Sequence, residues 1–299
     1  MSATDVPVEH TAVAEGRYAW RSRKRRRYIF GQTIAHIVLL LAGFFFTIPF
    51  FWLVTSSLKP NDQLFRLPPV WIPHPFVWAN YPAALTYIPY FHYLQNTLYI
   101  VAFNVVATLI SCSLVAYGFS RIRWPGRDAL FMVLIATMIL PYTVTMIPQF
   151  IIFKTLGWID TFGPLTWPAF FGTPFFIFLL RQFFTGISSE LSDAAKIDGC
   201  SEFGIYSRII LPLAKPALAA VGLFGFLWSW NDFLGPLIYL KNRDNYTIAL
   251  GLYGFLSHRR SEWALLMAAA TVTVLPVVIV FFFAQRTFIQ GITMTGIKG

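Results

Sequence analysis

Charge is scarce in this chain. Only 12% of its 299 residues are charged and 57% are hydrophobic, whereas a soluble domain carries roughly 25% charged residues. Mean hydropathy is +0.61. The deficit excludes an ordinary soluble domain and points to several membrane passes. Cysteine is nearly absent: Cys112 lies in an apolar run and Cys200 in a polar loop. Both read as free thiols, not as a disulfide framework. His10, His36, His74, His92 and His258 are scattered, with no HExxH spacing and no CxxC companion, so no metal site is expected. No GxxxxGK[ST] phosphate loop and no GxSxG elbow occur, so the chain is not expected to bind ATP by that route or to act as an enzyme. No cofactor is implied.

What the chain has in abundance is long apolar runs. Six spans are expected, at about 34–55, 94–119, 129–150, 164–183, 217–240 and 263–285, each near the ~20 residues that a bilayer needs. Pro49, Pro141, Pro148, Pro174, Pro236 and Pro276 lie in or near these runs and predict kinks rather than breaks. The first run follows RSRKRRR and is longer than the ~7–15 residues of a signal-peptide core, so it reads as an uncleaved first helix. The segment 56–93, rich in proline and aromatics, predicts an ordered external or interfacial stretch in which prolines prevent regular helix.

The net charge of +10 gathers in loops between apolar runs. That placement fits membrane orientation, not a nucleic-acid partner. With six spans both termini share a side, and sixteen Lys/Arg fall there against seven on the other. The excess places both termini in the cytoplasm. The loop 241–262, with Lys241, Arg243, Arg259 and Arg260, runs against the trend. The chain then divides into a basic cytoplasmic tail (1–33), a first transmembrane helix with its external loop (34–93), a core transmembrane domain (94–285) and a cytoplasmic C-terminal tail (286–299).

The longest polar interruption in the second half is ELSDAAKIDGCSEFGIYSRIILPLAKP, Glu190–Pro216. Ser188 and Ser189 suit a helix start, with Glu190 and Asp193 favoured in its first turns. Ala194 and Ala195 are small helix formers that permit close approach. Asp198-Gly199 stops the helix at a left-handed residue. Ser201 caps a second helix from Glu202 to about Ile210, whose apolar side is Phe203, Tyr206 and Ile210. Pro212 and Pro216 redirect the chain into the fifth span. These residues serve equally a rigid element that transmits force or an ordinary surface connection.

Asp193-Ala194-Ala195, then Gly199, then Ile209-Ile210-Leu211-Pro212, resembles the EAA motif of binding-protein-dependent ABC transporter permeases. FIFLLRQFF (176–184), SWNDFLGPLIYL (229–240) and AQRTFIQGITMTGIKG (284–299) extend the resemblance to the carbohydrate-uptake permeases of the maltose type, MalG-like subunit. Asp193 stands in place of the usual Glu, Ser188 where Pro is frequent, and Cys200 where Ala is usual.

The resemblance implies an all-α membrane protein of a prokaryotic cell membrane, with six transmembrane helices and a cytoplasmic coupling helix between the fourth and fifth. It also implies a second permease subunit (a heterodimer), cytoplasmic ATP-binding subunits that hydrolyse ATP on separate chains, and an extracytoplasmic solute-binding protein met by 241–262. Glu190, Asp193, Ala194, Ala195, Asp198, Gly199 and Pro212 would then couple to the ATPase, and the C-terminal tail would reach toward it. The imported solute would be a sugar or oligosaccharide. An ABC permease for a glycerol-phosphate-type compound, or a secondary transporter, is the alternative.

Asn231 and Asp232 fall in the outer part of the fifth span, beside Trp228 and Trp230. An intramembrane acid is costly and generally faces a cavity or a partner, so these four residues are candidates for the substrate path. Structural polar contact with the partner permease is the plainer reading. Asn104, Tyr142 and Gln149 are other polar groups in spans, better suited to helix–helix hydrogen bonds.

Overall fold

The computed structural model describes the backbone of residues 9–256 and 262–295, and the side chains of 28–256 and 262–285. The chain divides into two units, Met1–Thr55 and Ser56–Gly299. The first unit is almost wholly one helix, α1 (Glu9–Ser57), which runs through Pro49 without ending. Its portion from Tyr28 is apolar enough to cross a bilayer and carries Leu40 and Phe44 outward, as a lipid-facing helix does. The basic cluster 21–27 precedes the described side chains.

In the second unit a long helix, α3 (Tyr90–Ser120), is the axis. It is preceded by α2 (Asn80–Tyr87) and followed by α4 (Arg127–Ala136) and α5 (Tyr142–Thr155). Next comes a span from Gly163 to Thr185, whose second half is α6 (Pro174–Thr185). Then come α7 (Ser189–Ile197), α8 (Glu202–Leu213), α9 (Lys215–Trp230), α10 (Leu234–Tyr239), α11 (Ile248–Tyr253) and α12 (Trp263–Thr295). Helices α6 and α9 pack along α3, and α12 packs on α9 and α2. Among the described residues four helices are long and apolar enough to cross a membrane, or up to six if each of two bent pairs counts as one span.

The first of those bent pairs departs from the expectation of a kinked but continuous helix, whereas the second, between Glu202–Leu213 and Lys215–Trp230, is the redirection expected at Pro212 and Pro216. The third span turns by 98° between Arg127–Ile139 and Tyr142–Thr155. The proline ring of Pro141 disfavours helical backbone at the residue before it, and Leu140 is extended there (ψ 114°). The expected fifth span, 217–240, ends as a helix at Trp230. After the break at Asn231–Phe233, the Asp232 carboxylate accepts the free Gly235 N–H at 3.0 Å and so helps to start α10.

The segment 56–93 is ordered, as expected, but its prolines do not exclude helix. Pro82 lies in the first turn of α2, where the missing N–H has no intrahelical partner to lose. Asn80 Nδ2 fixes the segment by donating to the carbonyls of Ser57 (2.8 Å) and Lys59 (3.0 Å).

Two apolar clusters sit at opposite ends of α3. One gathers Ala116, Tyr117, Phe184, Ala195, Ile205 and Ile210, and the other Tyr90, Tyr93, Ile248, Phe255 and Ala268. At the second end the chain is also tied by polar contacts. Asn96 Nδ2 donates to the carbonyls of Asp244 (2.8 Å) and Tyr246 (2.9 Å), and Thr97 Oγ1 accepts from Ile248 N–H (2.9 Å).

Asp160 joins the loop after α5 to this same turn. Its carboxylate accepts the N–H groups of Lys241 (2.9 Å) and Asn242 (2.8 Å), and its own N–H donates to Tyr239 O (2.8 Å). It does so at a φ of 64°, a conformation Asp tolerates better than most residues. The backbone N–H bonds from Asn242 and Lys241 pull its carboxyl below the ordinary 3.8. A depressed folded-state value means the clip contributes fully above the unfolded pKa and is lost as pH falls through the folded one. Amide exchange at Lys241 and Asn242 is therefore expected to be protected at neutral pH and to accelerate only below the ordinary carboxylate range. Asp160→Asn should remove that pH step.

Candidate functional site

The polar stretch between α6 and α9 folds as two helical arms. Ser188 Oγ accepts from Glu190 N–H at 3.3 Å and starts α7. Gly199 stops it with a φ of 79°, and Cys200 N–H returns to Ala195 O at 2.9 Å, satisfying an otherwise free carbonyl of the last turn. Ser201 Oγ accepts from Gly204 N–H (3.2 Å) and starts α8. A Cβ at Gly204 would lie 2.6 Å from Cys200 Sγ, so a larger residue there would require the thiol to move. Helix α8 then bends by 79° into α9, with Ala214 at the bend.

The seven predicted coupling residues do not share one environment. Glu190, Asp193, Ala194, Asp198, Gly199 and Pro212 are exposed, while Ala195 is buried. Ala194 is thus free to meet another molecule, and Ala195 packs inward on the core. The expected apolar side of α8 is partly wrong. Phe203 is 70% exposed, and Ile205 is buried in its place with Tyr206 and Ile210. The cause is a π turn over Tyr206–Ile210. Its i→i+5 bonding puts residues five apart on one face, here Ile205 and Ile210. Leu191, Ile197 and Phe203 remain as exposed apolar groups on the two arms.

The contacts that hold the arms to the bundle come from α3. Tyr117 OH donates to Glu202 Oε2 at 2.7 Å, and Lys196 Nζ stands 2.8 Å from Glu202 Oε1. Glu202 therefore joins α7, α8 and α3 at one carboxylate. Ser113 Oγ and Tyr206 OH share a hydrogen bond of 2.7 Å, and the Tyr117 and Tyr206 rings meet edge-on at 5.3 Å. Arg121 Nη2 donates to the carbonyls of Phe184 and Ile187, both at 2.6 Å, tying down the end of α6. Arg181 lies 4.0 Å over the Phe131 ring and donates to Phe119 O (3.3 Å). Sequence reasoning missed Ser113, Tyr117, Arg121 and Lys196, because each acts on residues that are far away in sequence or on the opposite arm.

The candidates for the substrate path also separate. Trp228 and Asp232 line a cavity of about 350 Å³ with Asn104, Thr108, Phe176 and Ser229. Trp228 stacks on Phe176 with centroids 4.7 Å apart. Asn104 Nδ2 bridges helices by donating to Leu165 O (2.9 Å) and Ser229 Oγ (3.0 Å), while its Oδ1 is buried with no partner. Trp230 does not join this group; it is buried and stacked on Phe226 at 5.5 Å. Asn231 is exposed and donates to Leu227 O at 2.8 Å. Among the described residues no group of His, Cys, Asp and Glu is placed to hold a metal.

Spanning helices that flank an open, partly polar cavity, with a separate polar element mounted at the end of the axial helix, suit the membrane subunit of a transporter. The chain belongs to the family described as binding-protein-dependent transport system inner membrane component, whose sequence model matches residues 107–294. It is 34% identical to the arabinooligosaccharides transport system permease protein AraQ of Bacillus subtilis, over 88% of this chain and 94% of that one. It is 27% identical to the diacetylchitobiose uptake system permease protein DasC of Streptomyces coelicolor, over 92% of this chain and all of that one. Its fold matches a chain in the crystal structure of a bacterial ABC transporter involved in the import of the acidic polysaccharide alginate. That match has a TM-score of 0.75 and 25% identity, and covers 87% of this chain and 96% of that one.

Removing a partner from Glu202 should loosen the arms in proportion to burial. The Lys196–Glu202 pair is about half exposed and is worth about 0–1 kcal/mol. The hydroxyl of Tyr117, a residue only 5% exposed, donates to a charged acceptor, a bond worth about 1.5–3 kcal/mol. Thermal unfolding in detergent should accordingly show a clear drop for Tyr117→Phe and little change for Lys196→Met. Equal losses would contradict this ranking.

Proposed function

We propose that the chain is the permease subunit of an ATP-driven importer for a sugar or oligosaccharide. The sugar reading is supported by the relatives, whose names specify arabinooligosaccharides, diacetylchitobiose and starch degradation products. The coupling reading is carried by one observation: α7 presents Glu190, Asp193 and Ala194 outward while Tyr117 and Lys196 hold the adjoining arm through Glu202. A helix fixed on one side and free on the other suits a groove on a cytoplasmic ATP-binding subunit.

On this reading two permease subunits form the pathway within the lipid of a prokaryotic cell membrane. Two ATP-binding subunits hydrolyse ATP on separate chains, and an extracytoplasmic solute-binding protein delivers the solute at the end of α3 remote from the coupling arms. Both termini are then cytoplasmic. Closure of the ATP-binding subunits draws the arms together, and Glu202 and Tyr117 pass the displacement to α3. Trp228 and Asp232, with Asn104 and Ser229, form this subunit's part of the solute path: an aromatic face beside hydroxyl, amide and carboxylate groups suits polyhydroxylated solutes. Trp230, stacked on Phe226, and Asn231, bonded to Leu227 O, do not line this cavity.

Gly199 gives the direct test. A Cβ there meets nothing within 4 Å, so a substitution acts through backbone strain alone, at about 1–2 kcal/mol for a residue that resists the left-handed region. Gly199→Val is expected to lower the solute moved per ATP hydrolysed while the protein still inserts, and Gly199→Asn to retain most coupling. Ala194→Arg is expected to weaken co-purification with the ATP-binding subunit at least tenfold, equivalent to about 1.4 kcal/mol. Full coupling in Gly199→Val together with unchanged co-purification of Ala194→Arg would refute the assignment.

A further inference from the structure

A second cavity, of about 710 Å³, lies at the end of α3 opposite the coupling arms, and its lining includes Tyr87, Tyr93, Arg243, Asp244, Tyr246 and Tyr253. We infer that this cavity is a binding subsite for a neutral saccharide on the permease itself, separate from the cavity at Asp232. The inference rests on the sugar reading given under Proposed function.

The volume falls in the range of roughly 300–1,000 Å³ typical of small-molecule sites. Its walls combine flat aromatic faces with polar edges. Tyr87 is 48% exposed and Tyr253 is 55% exposed, so both offer ring surface. Each is braced from behind: Tyr87 stacks on Phe255 at 5.0 Å, and Tyr253 lies against Phe233 at 5.9 Å. Aromatic rings fixed in this way present apolar area at little cost in conformational entropy.

The charges select the ligand class. Arg243 and Asp244 are adjacent and exposed, and among the described residues neither forms an ion pair. The turn that carries them is held by His92 Nε2 (2.7 Å) and Asn96 Nδ2 (2.8 Å), both on Asp244 O. A hydroxyl both donates and accepts, so vicinal hydroxyls match a guanidinium beside a carboxylate. A purely anionic ligand would meet Asp244, and a cationic one Arg243. Leu237, on α10, also lines the cavity.

The test uses the assembled importer, permease pair with ATP-binding subunits, in lipid nanodiscs without the solute-binding protein. Saturation-transfer NMR is run with maltotriose, arabinotriose and diacetylchitobiose, and with trigalacturonate as an acidic control. At least one neutral probe is expected to show saturation transfer. That signal should fall at least fivefold in Tyr87→Ala/Tyr253→Ala and in Leu237→Trp, which fills the cavity, and persist in Tyr253→Phe. Tyr253→Phe also separates lost stacking from lost folding. No transfer from any neutral probe, a stronger signal from trigalacturonate, or an undiminished signal in both disruptive variants overturns the subsite. So does a variant effect confined to ATP hydrolysis stimulated by sugar-free binding protein, which would mark a protein loop as the occupant. Failure of uptake for all three neutral probes, with saturation transfer intact, would instead count against the importer reading and leave the subsite standing.

Discussion

The mounting of the two arms depends on one carboxylate. Glu202 receives the Tyr117 hydroxyl from α3 and the Lys196 ammonium from α7, so three helices that diverge elsewhere converge there. The charge is tolerable because the Lys196 side remains about half exposed, while the Tyr117 side faces the apolar cluster of Ile205, Tyr206 and Ile210. Apolar packing places the arms, and the hydrogen bonds fix their register. The Ser113–Tyr206 bond and the Arg121 bonds to the end of α6 limit the remaining freedom.

Helix α3 carries that constraint across the bilayer. Its 31 residues span about 45 Å at the α-helical rise. One end holds the two helical arms. The other holds the turn at Asp244–Ile248 through Asn96 and Thr97, and Asp160 fastens the loop after α5 to the neighbouring Lys241 and Asn242. Between the two ends, Asn104 bridges to Leu165 and Ser229 beside the Asp232 cavity. The arms, the cavity and the outer turn are thus joined by one continuous helix rather than by a chain of loops.

Much of this was legible in the sequence because it is local. Ser188, Ser201 and Gly199 act on residues within a few positions, and each behaves as its chemistry predicts. The apolar runs gave the helical membrane class for the same reason. What was not legible depends on tertiary context. No pattern near Glu202 points to Tyr117, which lies 85 residues away. The π turn at Tyr206–Ile210 shifts the buried face from Phe203 to Ile205, and a count at i, i+3 and i+7 cannot anticipate an inserted residue. The breaks at Pro141 and at Asn231–Phe233 have local causes, the proline ring and the Asp232 carboxylate on Gly235 N–H, but the apolar run alone does not tell a kink from a break. Trp228 and Trp230, two residues apart, took one role in the sequence and have different surroundings in the structure.

Rigidity between the arms and the axial helix is the central claim, and a distance measurement reaches it most directly. Spin labels at Ile197 on α7 and Val106 on α3, both exposed, report that distance by pulsed electron double resonance in the assembled importer. One narrow distance, the same without nucleotide and with trapped ATP, is the predicted result. A distance that shifts or broadens on ATP trapping would mean that the arms move independently of α3, and would contradict the account.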